Sequence, residues 1–238
     1  MARASFIALI SLGIVTGVVF AAFPWLDLQV ASFFLDLAAR PGARHFDHLI
    51  ALLRKIGPWI IAVTIAPAVI TLVIKAVRPR SPTPLSFRAA LFLVLSLVLG
   101  PGLLVNAVLK ETWSRPRPSM VTEFGGTLRF MPWWDPRGGC TTNCSFASGE
   151  TSAAVWTTAP AMLVPPPWRY LAFTAAGLYS LLFAFIRMLA GGHFLSDVIF
   201  AAVFTGLTIW TVHGLLFRWR TARFIIPTAA ADEPPPPT

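Results

Sequence analysis

Three ionisable side chains lie close together near the C-terminal end of the chain. The segment Arg187-Met-Leu-Ala-Gly-Gly-His193-Phe-Leu-Ser-Asp197 places a cation, an imidazole and a carboxylate at the mouth of an otherwise apolar stretch. His193 and Asp197 are four residues apart, so on a helix they share one face and can hydrogen-bond. A carboxylate that holds one imidazole nitrogen leaves the other free as a nucleophile or base. Because ionisable groups beside a membrane segment are costly, we interpret the triplet as a functional site.

A second polar group follows an earlier apolar stretch, in Lys110-Glu-Thr-Trp-Ser-Arg-Pro-Arg117-Pro118. Lys110 and Arg117 face one point if a helix persists through both, whereas Pro116 and Pro118 favour a rigid, extended exit. Either geometry suits a phosphate, with the arginine as a bidentate fork and the lysine as a point charge. The alternative is that both side chains anchor the membrane interface by snorkelling.

A third polar group, Ser148-Gly149-Glu150, directly precedes another apolar stretch. Ser148 is a good helix N-cap, and Gly149 allows the backbone to approach a ligand closely. Free amides at a helix N-terminus bind phosphate oxygens. A Ser-Gly cap without a ligand is common, however, and is the better interpretation of this group taken alone.

The composition is that of a membrane protein. Hydrophobic residues make up 56% of the 238-residue chain and charged residues 12%, with a mean hydropathy of +0.71. A soluble domain has about 25% charged residues, and one membrane span needs roughly 20 apolar residues. These values predict an all-α, polytopic bundle of six transmembrane helices with little room for a second domain.

Six apolar segments support this prediction, at about residues 5–23, 58–77, 89–109, 150–164, 170–189 and 194–216. Between the first two, Asp27 to Lys55 is of mixed polarity and predicts two short interfacial helices. We expect one membrane-embedded domain over residues 1–226 and a Pro-rich, disordered tail over residues 227–238.

The net charge of +9 fits a membrane location better than a nucleic-acid partner, because no soluble basic domain is evident. With six spans, one side of the membrane carries Arg3, the basic turn 75–88, Arg169 and the arginines of 218–223. That side is expected to be cytoplasmic. The three polar groups then face the periplasm of a bacterial inner membrane.

Neither the cysteines nor the histidines predict a metal site. Cys140 and Cys144 lie in one polar loop, with too few ligands nearby for a metal. A periplasmic loop favours a disulfide, and two free thiols are the alternative. His45 and His48 flank an aspartate, but no third ligand follows at motif spacing, so they are interpreted as interfacial surface histidines.

Taken in order, Lys-x6-Arg-Pro, Ser-Gly and Arg-x5-His-x3-Asp resemble the type 2 phosphatidic acid phosphatase (PAP2) superfamily of membrane lipid phosphatases, over about residues 89–210. The resemblance implies a six-helix bundle with its site near the outer leaflet and no cofactor. It also implies metal-independent phosphoryl transfer through a phosphohistidine.

Carried over by position, the resemblance makes His193 the nucleophile and Asp197 its orienting partner. The phosphoryl oxygens would be held by Lys110, Arg117, Ser148, the Gly149 amide and Arg187. The family's Ser-Gly-His is Ser-Gly-Glu here, which makes Glu150 a candidate acid for the leaving oxygen. Ile186 stands where the family often has serine, which removes one phosphate hydrogen bond.

The expected activity is removal of phosphate from a membrane lipid, the bilayer and its lipid phosphates being the expected partners, without an obligate protein partner. Candidates are lipid A, phosphatidylglycerol phosphate, phosphatidic acid and undecaprenyl pyrophosphate. A Trp-rich loop (Trp113, Trp133, Trp134) that can sit at the headgroup level favours lipid A or a glycerophospholipid monophosphate. A lipid phosphotransferase and a non-catalytic lipid-binding or transport protein are the alternatives.

Overall fold

The computed structural model describes residues 2–40 and 47–218. Its α-helices are α1 (Ala2–Ala22), α2 (Trp25–Ala39), α3 (Asp47–Val77), α4 (Phe87–Leu97), α5 (Lys110–Thr112), α6 (Gly149–Trp156), α7 (Thr158–Leu163), α8 (Trp168–Leu189) and α9 (Leu195–His213). Within these ranges the regular elements are helical, as predicted, apart from one isolated bridge between Val121 and Leu128. His45 and the predicted tail lie outside the described residues.

Five helical stretches in the described ranges are long and apolar enough to cross a membrane: Arg3–Ala22, His48–Val77, Phe87–Thr112, Trp168–Leu189 and Leu195–Phe217. The fourth predicted span, residues 150–164, is not among them. It forms α6 and α7, which are interrupted at Thr157. Pro160 explains the break, because its ring would clash with the carbonyl of residue 156 in a continuous helix. The predicted count of six spans is therefore not confirmed.

The predicted interfacial helices are partly wrong. The first corresponds to α2, of 15 residues. The second does not exist as a separate element, because α3 runs from Asp47 through the second apolar segment to Val77 without a break. Pro58 lies inside this helix and did not end it. One consequence is that Arg54 and His48 project from the first turns of a membrane-spanning helix, and His48 is exposed.

The stretch that delivers Lys110 is not a regular α-helix. After α4 the chain becomes π-helical over Val98–Leu109 and then forms the single turn α5. Pro101 lies inside the π-helical part and has no N–H to donate, which favours such a wide turn. The Nδ2 of Asn106 donates to the Pro101 carbonyl at 2.7 Å. The irregular turns thus lead directly to a candidate site residue, where π-helical segments are often found.

The long polar loop between α5 and α6 packs onto the ends of the helices. Trp113 donates from Nε1 to the Trp133 carbonyl at 2.5 Å, and Trp133 donates to the Gly17 carbonyl in α1 at 3.2 Å. Both rings pack around Phe146. These two tryptophans therefore stabilise the loop. Trp134, with 49% of its surface exposed, is the one of the three free to reach the headgroup level.

Cys140 and Cys144 form a disulfide in this loop, with their Cα atoms 5.8 Å apart. Both sulfur-bearing residues are buried. The bridge closes the turn immediately before Ser145, which contacts the candidate nucleophile.

A fully buried guanidinium joins this loop to the helices. Arg115 donates to Asp27 Oδ2 in α2 at 2.7 Å, to Asp197 in α9, to Ser196 Oγ at 2.8 Å and to the Met131 carbonyl at 2.9 Å. Asp27 also accepts from the Ser196 amide at 3.0 Å and from its hydroxyl at 2.6 Å. Because a buried ion needs such complete pairing, these contacts fix α2, the loop and α9 relative to one another.

The same guanidinium lies against two aromatic rings. Its Cζ is 4.5 Å from the ring centre of Phe194 and 5.7 Å from that of Phe130. Burial alone would lower the pKa of Arg115, but Asp197 and Asp27 outweigh burial and raise it. Arg115 is therefore a permanent cation in the interior.

We predict that Asp27→Ala destabilises the protein by about 3 kcal/mol, because it leaves part of the Arg115 charge buried and unpaired. The midpoint of thermal unfolding in detergent should fall by roughly 5–10 °C. Asp36→Ala is the matched control, since Asp36 is an exposed aspartate of the same helix, and it should shift the midpoint by about 2 °C at most. Equal midpoints for the two variants would contradict the proposed role of the buried pair.

Candidate active site

His193 lies in the connection between α8 and α9, and its side chain is buried. Its Nδ1 is 2.7 Å from the Ser145 carbonyl oxygen. A carbonyl can only accept a hydrogen bond, so Nδ1 carries the proton and Nε2 keeps its lone pair. The loop thus holds the imidazole in the tautomer that a nucleophilic histidine needs.

The hydrogen bond expected between His193 and Asp197 is not formed, although the two side chains lie close together. Helix α9 starts at Leu195, so His193 precedes the helix and the two residues do not share a helical face. Nδ1 of His193 is 4.0 Å from Asp197 Oδ2. That oxygen instead accepts from Ser145 Oγ at 2.5 Å and from the Phe194 amide at 2.8 Å. Asp197 therefore orients His193 indirectly, through the residues that contact and follow it.

Burial lowers the pKa of His193 well below its usual range, and the nearby charges of Arg187, Arg117 and Lys110 lower it further. The hydrogen bond to Ser145 opposes this effect without reversing it. At neutral and mildly acidic pH the imidazole is therefore uncharged and able to attack an electrophile.

Arg187 lies at the end of α8, with 4% of its surface exposed. It is more deeply buried than Lys110 and Arg117, the other two cations among the candidate phosphate ligands. The Gly191-Gly192 turn makes this possible. Gly191 has a φ of +59°, and a Cβ on Gly192 would collide with the Arg187 guanidinium. Nη1 contacts Glu150 Oε1 at 3.3 Å, while Nε is buried without a hydrogen-bond partner. An unpaired buried donor of this kind fits a site that receives a ligand oxygen.

The helix that carries Lys110 ends at Thr112 and does not continue to Arg117, whose own backbone is extended, with φ −79° and ψ 158°. The Arg117 Nε donates to the Asn143 carbonyl at 2.9 Å, and the Lys110 Nζ lies 3.5 Å from Asn106 Oδ1. Both cations act electrostatically on His193. They therefore belong to one electropositive site with Arg187.

Ser148 is the N-cap of α6, as its sequence position predicts. Its Oγ accepts from the Thr151 amide at 3.4 Å and lies 2.8 Å from the Thr151 hydroxyl. A Cβ on Gly149 would collide with the side chain of Asn106, so the glycine permits close packing between α6 and the π-helical segment. The start of α6 thus lies beside the segment that carries Lys110.

Glu150 lies between two guanidinium groups. Its Oε1 is 3.1 Å from Arg54 Nη2 in α3 and 3.3 Å from Arg187 Nη1. In the free protein the carboxylate thus pairs with both arginines. The side chain nevertheless stays 35% exposed, so it can move.

The structure adds four residues that the sequence did not identify as part of the site. They are Asp27, Arg54, Arg115 and Ser145. Asp27 could have been identified from the sequence, because it lies beside a predicted span and a carboxylate in such a place needs a charged partner. The other three gave no such signal, since nothing local pairs Arg54 with residue 150 or Arg115 with residue 197. In the described ranges, no three His, Cys, Asp or Glu side chains are grouped to hold a metal ion.

Comparisons with known proteins point to one family. The profile of the PAP2 superfamily matches residues 89–222. The chain is 32% identical to a lipid A 4'-phosphatase of Francisella tularensis subsp. novicida (strain U112) over 204 residues, which cover 84% of this chain and 90% of the relative.

Two lipid A 4'-phosphatases of rhizobia are also similar. That of Rhizobium etli is 33% identical over 76% of this chain and 75% of the relative, and that of Rhizobium leguminosarum is 43% identical over 44% and 45%. No solved structure matches the chain significantly.

We predict that His193 of the free protein stays neutral, with its proton on Nδ1, at pH 6. Its ordinary pKa is about 6.5, and burial with three nearby cations lowers it, so protonation requires a more acidic solution. Nitrogen-15 NMR of histidine-labelled protein would measure this, with the signals of His193 identified by their loss in His193→Gln. A titration midpoint at or above pH 6.5, or a proton on Nε2, would contradict the assignment.

Proposed function

The chain belongs to the PAP2 superfamily, and we propose that it removes the 4'-phosphate of lipid A through a phosphohistidine on His193. It is a multi-pass membrane protein and a phosphoric monoester hydrolase that acts on a membrane lipid. The observation that carries the finer proposal is the unpaired Nε of buried Arg187. The Arg187 guanidinium packs against Gly192, which directly precedes His193 in the chain.

In the first step, Nε2 of His193 attacks phosphorus, and the bond from phosphorus to the lipid oxygen breaks. Arg187, Arg117 and Lys110 balance the charge on the three phosphoryl oxygens, which is where most of the rate enhancement arises in phosphoryl transfer. The substrate enters as its phosphate monoanion, and Glu150 accepts the proton of its P–OH group and passes it to the leaving oxygen, so Glu150 is a carboxylate again when the step ends. The lipid alcohol then departs.

In the second step, water attacks the phosphohistidine, and the phosphorus–Nε2 bond breaks. The carboxylate of Glu150 takes a proton from this water and passes it to the phosphate, so that H2PO4− forms and Glu150 is again a carboxylate. Orthophosphate leaves, and His193 is again neutral. Asp197 does not exchange protons in this scheme; it holds the Ser145 hydroxyl and the Phe194 amide, so that the ring stays aligned.

Lipid A is favoured over a small headgroup by a groove in the outer loop. The groove has a volume of about 630 Å³ and is lined by polar, basic and aromatic side chains, among them Arg129, Phe130, Trp134 and Arg137. The ring of Phe130 contacts that of Phe194, the residue after His193, with 5.2 Å between centroids. A phosphorylated sugar headgroup fits such a surface, because aromatic faces and guanidinium groups recognise sugars and phosphates.

The site is proposed to face the periplasm. The Cys140–Cys144 disulfide supports this side, because disulfides persist in oxidising compartments. The basic turn between α3 and α4 and the start of α8 contain Lys75, Arg78, Arg80 and Arg169, which fits the cytoplasmic side.

A purified sample in detergent with EDTA should release the 4'-phosphate of lipid A. The value of kcat/KM for lipid A should exceed those for phosphatidic acid, phosphatidylglycerol phosphate and undecaprenyl pyrophosphate by about tenfold or more, equivalent to about 1.4 kcal/mol. Mass spectrometry of the lipid and a phosphate assay would measure both products.

His193→Ala is the control and should release phosphate no faster than the buffer. Wild-type release equal to that of His193→Ala at every pH from 4 to 9 would refute the catalytic scheme. A preference for another lipid would refute only the substrate. Transfer of the phosphoryl group to a second lipid, without orthophosphate, would identify a phosphotransferase.

A further inference from the structure

Glu150 stands where the family that this chain resembles has a histidine, and its carboxylate is bound by an arginine from another helix. Arg54 in α3 donates from Nη2 to Glu150 Oε1 at 3.1 Å and from Nε to Oε2 at 3.3 Å. These two bonds form a fork that orients the whole carboxylate. Neither the sequence motifs nor the proposed chemistry assigns a role to Arg54.

The same Glu150 oxygen also contacts Arg187 Nη1 at 3.3 Å. In the free protein, the Glu150 carboxylate therefore occupies one side of the Arg187 guanidinium. A phosphoryl group that binds Arg187 must displace this oxygen. Arg187 is 4% exposed and cannot retreat, whereas Glu150 and Arg54 are 35% and 42% exposed. The pair Arg54–Glu150 is consequently the part that moves.

We propose that Arg54 is a positioning residue that draws Glu150 from Arg187 when a phosphoryl group binds and holds the carboxylate at the edge of the site. Glu150 then stands beside the phosphorus without competing for its ligands. The inference rests on the proposed function only in requiring that the site binds a phosphoryl group, whichever lipid carries it.

The surrounding charges explain why such a counter-ion is needed. Glu150 is faced by Arg54 from α3, by Lys110 from α5, by Arg117 from the loop and by Arg187 from α8. Four cations attract one carboxylate. Without Arg54, the remaining three would hold Glu150 inside the phosphate site, where it would exclude the substrate anion. With Arg54, the carboxylate has an alternative partner at the more exposed side.

The arrangement predicts coupling between residues 54 and 150 in anion binding. Arg54→Ala should weaken the binding of orthovanadate, a phosphate analogue, by about threefold to tenfold, because Glu150 then remains on Arg187. In a Glu150→Gln background the same change should have little effect, since no internal anion is left to displace. Calorimetric titration of orthovanadate into each purified variant would give the four dissociation constants of the cycle.

Lys55→Ala is the matched control, because Lys55 is the exposed neighbour of Arg54 on the same helix. It removes the same charge at nearly the same place and should weaken vanadate binding by less than about twofold. Arg54→Lys keeps the charge but loses the fork, so its dissociation constant for vanadate should lie between those of the wild type and Arg54→Ala. Size-exclusion profiles would verify that each variant is folded.

An equal loss from Arg54→Ala in both backgrounds, or no loss in the wild type, would overturn the inference. These results do not depend on which lipid is hydrolysed. Intact coupling together with inactivity towards lipid A would refute the proposed substrate alone, whereas wild-type protein that binds no vanadate would refute the phosphate site itself.

Discussion

The Arg115 guanidinium is fully buried, and the cost of removing such an ion from water is several kcal/mol unless charged partners surround it. Its partners come from α2, from the outer loop and from the start of α9, far apart in sequence. Its contacts with all of them hold these three elements together. Asp197 is one of the partners, and it also holds the residues on either side of His193, so the position of the nucleophile depends on the same cluster.

The site therefore combines a rigid and a movable part. On the rigid side, buried hydrogen bonds fix the His193 ring and its tautomer, and Gly192 allows Arg187 to pack underneath. On the movable side, half-exposed Arg54 and Glu150 form an ion pair at the mouth. This division suits phosphoryl transfer, which needs accurate alignment of the nucleophile and charge that adapts as oxygens arrive and leave.

Most of the fold and of the electropositive site could be predicted from the sequence, because both depend on local signals. Long apolar stretches indicate spans, and the order of Lys110, Arg117, Ser148, Arg187 and His193 resembles that of the PAP2 family, which implies a phosphate site. The broken fourth segment could have been predicted from Pro160. The contacts of Asp197 and Glu150 could not, because they depend on Arg115 and Arg54, whose partners are brought together only by tertiary packing.

The central claim is that Nε2 of His193 carries the phosphoryl group. Rapid acid-free quenching during turnover of a slowly hydrolysed lipid phosphate, followed by proteolysis and mass spectrometry, would test it most directly. The account predicts a phosphoryl group on residue 193 that is stable in base and lost in acid, and absent when His193 is replaced by glutamine. Turnover without any labelled His193, or a label on another residue, would contradict it.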